Sequence, residues 1–192
     1  MPRPREFDEA AALQAAIDCF WQRGYAATSV RDLAASMGIS GPSLYNAFGD
    51  KHALFVQALG HYLDGSTRAR IERLESLPPK QAVRSFLAEI IDASVSDRER
   101  RGCFLINSAL EVAPHDAALR AVIVDRLGEM EAFFRRSIKA AQAQGTVPPE
   151  RNAKELARLL LGALLGIRVL ARVNPDRALL EGVARPALAL LD

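Results

Sequence analysis

Apolar residues recur every three or four positions through nearly the whole chain, and no stretch alternates with the period of two that a half-buried strand requires. The pattern predicts an all-α protein. From Phe7 to Arg23 the stripe runs through Leu13, Ala16, Ile17, Phe20 and Trp21 and stops at Gly24. Val30, Leu33, Ala34 and Met37 repeat it at i, i+3, i+4, i+7. Ser29 is placed to cap that helix through the Asp32 N–H, with the Asp32 carboxylate in the positive first turn. Gly38 then suits a left-handed backbone, Ile39 returns to the core, and Ser40 opens another helix with Gly41 and Pro42 in its first turn. Leu44 and Phe48 form the inner face of this short helix, and Gly49 ends it.

Asp50 is expected to cap a fourth helix, striped by Leu54, Phe55, Ala58, Leu59, Tyr62 and Leu63, then Ile71, Leu74 and Leu77, before Pro78 and Pro79 break it. About 25 residues at 1.5 Å each give a rod of nearly 40 Å, long enough to join two domains. Gly60 and Gly65 within it predict either a bend or a locally weakened helix. An amphipathic stretch from Ala82 to Val95 follows, then a charged run from Asp97 to Arg101 that reads as a solvated loop. The helix CFLINSALEV ends before Pro114 and carries Asn107, Ser108 and Glu111, polar groups that need either internal partners or a ligand. Asp116 starts a helix running to Gly145, and Val147, Pro148 and Pro149 connect it to AKELARLLLGALLGIRVLARV. A last helix carries Leu179, Leu180, Val183, Ala187, Leu188 and Leu191, with Pro186 expected to kink it or end it early. The last two helices expose more apolar surface than a small monomer tolerates, which predicts a homodimer joined as a four-helix bundle.

Two short helices joined by a glycine-bearing turn make a helix-turn-helix, whose second helix enters the major groove. Ser40, Gly41, Ser43, Tyr45 and Asn46 lie away from Leu44 and Phe48 and are small or hydrogen-bonding types suited to base edges and phosphates. The run T-S-V-R-D-L-A, M-G-I-S, S-L-Y-N-A-F-G and D-K, in register from Thr28 to Lys51, resembles the DNA-binding segment of the TetR/AcrR family of bacterial transcriptional regulators. The resemblance implies a helix-turn-helix domain over residues 1–52 and a ligand-binding and dimerisation domain over residues 53–192. It implies a ligand-responsive repressor, a homodimer on a double-stranded, near-palindromic operator. Thr28, Tyr45 and Lys51 match positions that hold phosphates, with Ser29 and Arg31 alongside, and Gly41, Pro42, Ser43 and Asn46 match positions near bases. Ala47 departs from the family, which carries an aromatic or histidine thereabouts, and offers no phosphate hydrogen bond. A small-molecule effector is implied between helices of the larger domain, and Phe86, Ile90, Cys103, Phe104, Asn107 and Phe134 are the expected lining.

Composition alters this picture at one point. The 192 residues carry a net charge of +2, but residues 1–52 hold five basic against six acidic side chains, a net of −1. A basic footprint is therefore missing, and phosphate contact has to come from where Arg3, Arg5, Arg31 and Lys51 point. Residues 1–5 form an arm that either lies along a minor groove or is a solvated tail. Two cysteines, no apolar leader and a longest apolar run, Leu159 to Ile167, of about half the roughly 20 residues of a span predict a cytoplasmic protein with no membrane partner. No phosphate loop or CxxC occurs, and the three histidines are not spaced with acids as ligands, so no enzyme, cofactor or metal is expected. His61 and Asp64, at i, i+3, read as a solvated ion pair. Cys19 reads as a small buried hydrophobe. Cys103 reads as a buried structural thiol, or as a redox sensor because Arg98, Arg100 and Arg101 stand close by. A thiol-gated regulator and a helical interaction module without DNA binding are the alternatives to a ligand-responsive repressor.

Overall fold

The computed structural model describes residues 7–192, which form helices and connecting turns without a strand. The arm over residues 1–5 lies outside the described residues. Helix α1 spans Glu9–Arg23, α2 Val30–Met37, α3 Gly41–Phe48 and α4 Lys51–Leu63. Asp8 starts α1 by accepting from the Ala10 and Ala11 N–H groups, at 2.9 and 3.3 Å. α1 packs on both α2 and α4, and Ile17, Phe20, Leu33, Leu44, Phe48, Leu54 and Phe55 fill the space between them.

The long fourth helix is one continuous helical path with an irregularity in the middle. A π-helical turn, Asp64–Arg68, follows α4 and leads directly into α5, Ala69–Leu74. Gly65 sits in that turn, so the weakness anticipated there takes the form of one wider turn. Asp64 does not pair with His61. Its carboxylate meets Arg68 at 3.0 Å and Arg126 at 3.2 Å, longer side chains that reach it more readily.

The larger body comprises α6 Pro79–Ser96, α7 Phe104–Glu111, α8 Ala117–Ala143, α9 Ala153–Val173 and α10 Arg177–Ala189. The diproline both ends α5 and opens α6, because Pro79 occupies a first-turn position that needs no N–H. α9 packs between α8 and α10, and α6 lies against all three. Phe86, Phe133 and Phe134 meet there with ring centroids 5.2–5.5 Å apart. α10 runs three residues past Pro186, and the chain end is fastened by Asp192, which accepts from Arg84 at 2.8 Å.

One face of the α9–α10 layer is left uncovered. Leu159, Leu170 and Val173 recur on α9 at helical spacing with Gly162 and Gly166, and Leu179 and Gly182 do so on α10; Val173 is 77% exposed. Nothing lies within 4 Å of a Cβ built on any of the three glycines, so another backbone can approach closely. Among the described residues no helix is long and apolar enough to cross a membrane.

Candidate nucleic-acid interface and internal cavity

The turn between α2 and α3 is set by local chemistry. Ser29 Oγ accepts from the Asp32 N–H at 3.1 Å while Asp32 accepts from the Ser29 N–H at 3.0 Å, which satisfies two free donors at the start of α2. The Ser29 hydroxyl, which also donates to the Asp32 carboxylate at 2.5 Å, then the Ser29 N–H and Arg23 at 2.9 Å, hold the Asp32 carboxyl below the usual carboxylate range. Gly38 is left-handed at φ 66°, ψ 27° and closes α2 onto the Ala34 and Ala35 carbonyls. Ser40 Oγ then accepts from the Ser43 N–H at 3.2 Å, and α3 begins. Leu44 and Phe48 are buried, whereas Pro42, Tyr45 and Asn46 project from the opposite side, Tyr45 being 52% exposed.

The acidic balance of the first 52 residues is largely spent inside the fold. Asp8, Asp32 and Asp50 cap helices, and Asp18 meets Arg101 at 3.3 Å. Arg31 is exposed and has no acidic partner among the described residues. The Lys51 ammonium sits 4.4 Å from the centroid of the Tyr25 ring, which holds it at the start of α4 without neutralising it.

Aromatic packing fixes this unit to the body. Phe55 touches Phe20 at 4.9 Å, Tyr25 at 4.8 Å and Phe104 of α7 at 5.5 Å, while Tyr62 touches Trp21 at 4.9 Å and Phe104 at 5.6 Å. Glu111 of α7 accepts from the Tyr25 and Ala26 N–H groups at 3.1 and 2.8 Å. His52 of α4 contacts Asp116, the residue that caps α8. The 97–101 segment is more than a solvated loop: Arg101 lies over the Trp21 ring at 4.4 Å, and its carbonyl accepts from Trp21 Nε1 at 3.2 Å.

Behind that segment lies a cavity of about 530 Å³. Trp21 of α1, Tyr62 of α4, and Ser66 and Thr67 of the π-helical turn form one side, and Phe86, Ile90, Cys103, Met130, Leu164 and Arg168 of the body form the other. Its size falls in the ordinary range of small-molecule sites, and it touches the elements that join the two parts of the chain. Burial pushes the Tyr62 phenol up, and the adjacent Cys103 thiol and its hydrogen bond add to that, so the hydroxyl stays protonated. Among the described residues no group of His, Cys, Asp or Glu is arranged to hold a metal ion.

Comparison with known proteins decides what this architecture is. Residues 12–58 match the family model described as "Bacterial regulatory proteins, tetR family", and residues 79–187 match "Tetracyclin repressor-like, C-terminal domain". The chain belongs to the TetR family. Its relatives include the uncharacterized HTH-type transcriptional regulator YezE of Bacillus subtilis (strain 168), 34% identical over the whole of both chains. The HTH-type transcriptional repressor ComR of Escherichia coli (strain K12) is 30% identical over 98% of this chain and 90% of its own. A cysteine mutant of the TetR family regulator CifR, solved on a 26-base-pair operator duplex, superposes with a TM-score of 0.88. It is 36% identical over 99% of this chain and 100% of that one.

As a TetR family member the chain places its expected site residues unevenly. Ser40, Gly41, Pro42, Ser43, Tyr45 and Asn46 gather on the outer side or at the start of α3, with Arg31 on α2 and Lys51 beside it. Thr28 is a correction: its side chain is 1% exposed and its hydroxyl donates to the Gly24 carbonyl at 2.6 Å, so it has no proton left for a phosphate. The Ser29 hydroxyl is likewise committed to Asp32. Of the six expected ligand residues, Phe86, Ile90 and Cys103 line the large cavity together. Phe104 and Asn107 face a separate hollow of about 300 Å³ between α1 and α7. Phe134 faces neither, because it is sealed at 0% exposure behind Phe86. Asn107 is satisfied internally, donating to the Arg101 carbonyl at 2.8 Å and accepting from Arg172 at 3.0 Å. Sequence reasoning missed Arg168, Ser66 and Tyr62. Arg168 is the one charged residue between Leu159 and Ala171 of α9, and that interruption of an apolar run was the signal.

Proposed function

We propose that the protein is a cytoplasmic transcriptional repressor that binds a near-palindromic operator as a homodimer and releases it when a small molecule fills the cavity between Trp21 and Arg168. The observation that carries this reading is the outer side of α3, where Pro42, Tyr45 and Asn46 stand clear of Leu44 and Phe48 on a rigidly capped turn. The similarity to ComR, a repressor, and to CifR, solved on operator DNA, supports it. Residues 1–52 form the reading head and residues 53–192 the body. Tyr45, Arg31 and Lys51 hold phosphates, with the Ser40 and Ser43 hydroxyls beside them, and Gly41, Pro42 and Asn46 meet base edges. The uncovered stripe on α9 and α10 pairs two copies, so that two α3 helices enter successive major grooves about 34 Å apart.

Release follows from the cavity's position. A ligand that touches α1, the π-helical turn and α9 at once favours whichever relative placement of head and body suits it, and shifts the DNA equilibrium by that preference alone. Selection of bound sequences from a random duplex pool, followed by fluorescence anisotropy against selected and scrambled duplexes, tests the reading. A palindrome-like consensus bound by a dimer is expected; indifference among duplexes at low salt would sink it. Cys103→Ser that still releases DNA on effector addition separates this mechanism from thiol gating.

A further inference from the structure

Phe86, Ile90, Met130 and Leu164 give the large cavity an apolar wall. Yet the shielded side-chain polar atoms left without a hydrogen-bond partner among the described residues, Ser66 Oγ, Arg101 Nε and Arg168 Nε, all belong to residues lining it. Buried polar atoms are nearly always partnered; Arg101 Nε still faces the Glu99 and Asp97 carboxylates at 3.4 and 3.6 Å, which leaves Ser66 Oγ and Arg168 Nε to mark a partner that comes from outside the chain.

Of the four arginines lining the cavity Arg98 is exposed to solvent, and the other three differ in how their charge is answered. Arg70 shares Glu89 with Arg73, at 3.1 and 2.7 Å. Arg101 has Asp18, Asp97 and Glu99 within 3.3–3.6 Å. Arg168 meets no carboxylate among the described residues; its Nη1 donates to Ser94 Oγ at 3.1 Å, and that hydroxyl donates onward to the Ile90 carbonyl at 2.7 Å. A half-buried guanidinium is therefore pinned by one neutral hydroxyl with its Nε edge unspent.

We propose that this cavity takes an organic monocarboxylate, its anion on the Nε edge of Arg168 with the Ser66 hydroxyl as a further donor, and its hydrocarbon body against Phe86, Ile90, Met130 and Leu164. A guanidinium receives a carboxylate in a two-pronged fork through Nε and the neighbouring Nη, about twice as strong as a neutral pair. The Ser94 bond fixes the plane of that fork. A neutral ligand would leave the charge unanswered. A cation would meet Arg168, and a dianion would meet Asp97 and Glu99, already on the wall. Because Ser66 belongs to the π-helical turn and Arg168 to α9, one anion would tie the linking helix to the body.

This inference rests on the effector-responsive reading above, and the two are separable by experiment. The purified full-length protein is titrated calorimetrically with octanoate, benzoate and phenylacetate, and with octanamide, benzamide and phenylacetamide. At least one acid is expected to bind about tenfold or more tightly than its own amide. R168Q and R168M should erase that difference while amide binding persists, and R168K should keep part of it, with helical content checked by circular dichroism. S66A should weaken the acid severalfold, which keeps the test alive if the Arg168 variants fail to fold. Equal affinity of acid and amide, an unchanged preference in R168Q, or no binding by any of the six at millimolar concentration would overturn the proposal. A carboxylate that binds through Arg168 yet leaves the selected operator bound would keep the site and overturn effector-gated release. Release by a ligand indifferent to the carboxylate would do the reverse.

Discussion

Asn46 and Lys51 stand a few residues apart and are expected to act on DNA in opposite ways. Asn46 projects from α3, where a paired amide can satisfy one adenine edge; Asn46→Ala should cost about 1–3 kcal/mol of discrimination at a single base position, read by competition with singly substituted operators. Lys51, held against Tyr25, is a point charge; Lys51→Ala should weaken all sequences alike and flatten the salt slope by about one unit. The caps around them, Ser29, Ser40 and Asp50 with Gly38 and Gly49, were legible in the sequence because each bond spans three or four residues. Thr28 was misjudged: it lies just as near its partner, Gly24 being four residues back, but in an irregular loop where no capping pattern marks the bond.

At the scale of elements, the contacts between head and body set what is rigid. Gly24 has φ 85° and ψ 167°, and a Cβ there would stand 2.8 Å from a Glu111 carboxylate oxygen. Gly24→Ala should therefore cost about 1–3 kcal/mol through backbone strain alone, and displace Glu111 besides, measurable as a lowered urea midpoint. The Asp116 carboxyl is held below its usual range, first by the Leu119 N–H and then by His52. A depressed carboxyl contributes stability above its unfolded value and loses it as pH falls through the folded one. Asp116→Asn should thus be less stable than the parent near neutrality, and the gap should close on acidification below the ordinary carboxylate range, followed by urea unfolding at stepped pH. Helix identities and order were readable from periodicity. The π-helical turn was visible only as an ambiguity at Gly65, since a single extra residue barely disturbs a stripe.

For the whole molecule, the uncovered stripe on α9 and α10, proposed above to pair two copies, is expected to govern affinity. A charge within it, as in Leu170→Glu, should give monomers by sedimentation that keep their helical content and bind the operator at least about 100-fold more weakly, since each half-site is then held alone. The apolar excess of these helices was plain from the sequence. The cavity was only half legible: Phe86, Ile90 and Cys103 were found by their place on apolar faces, but Phe134 looks the same in sequence and is sealed. What distinguishes Arg168 is the absence of an acid beside it, a property of α6 and α9 packing together that no linear pattern records.

The wider turn at Asp64–Arg68 makes the linking helix sensitive to chain length in a way its neighbours are not. Each residue turns an α-helix by about 100°, so deleting one here would let the segment relax to regular winding, while adding one elsewhere in α4 would swing Ile71 and Leu74 out of the interior. A single-codon deletion should thus be tolerated at this turn and rejected a turn away on either side, as read by urea unfolding of the variants.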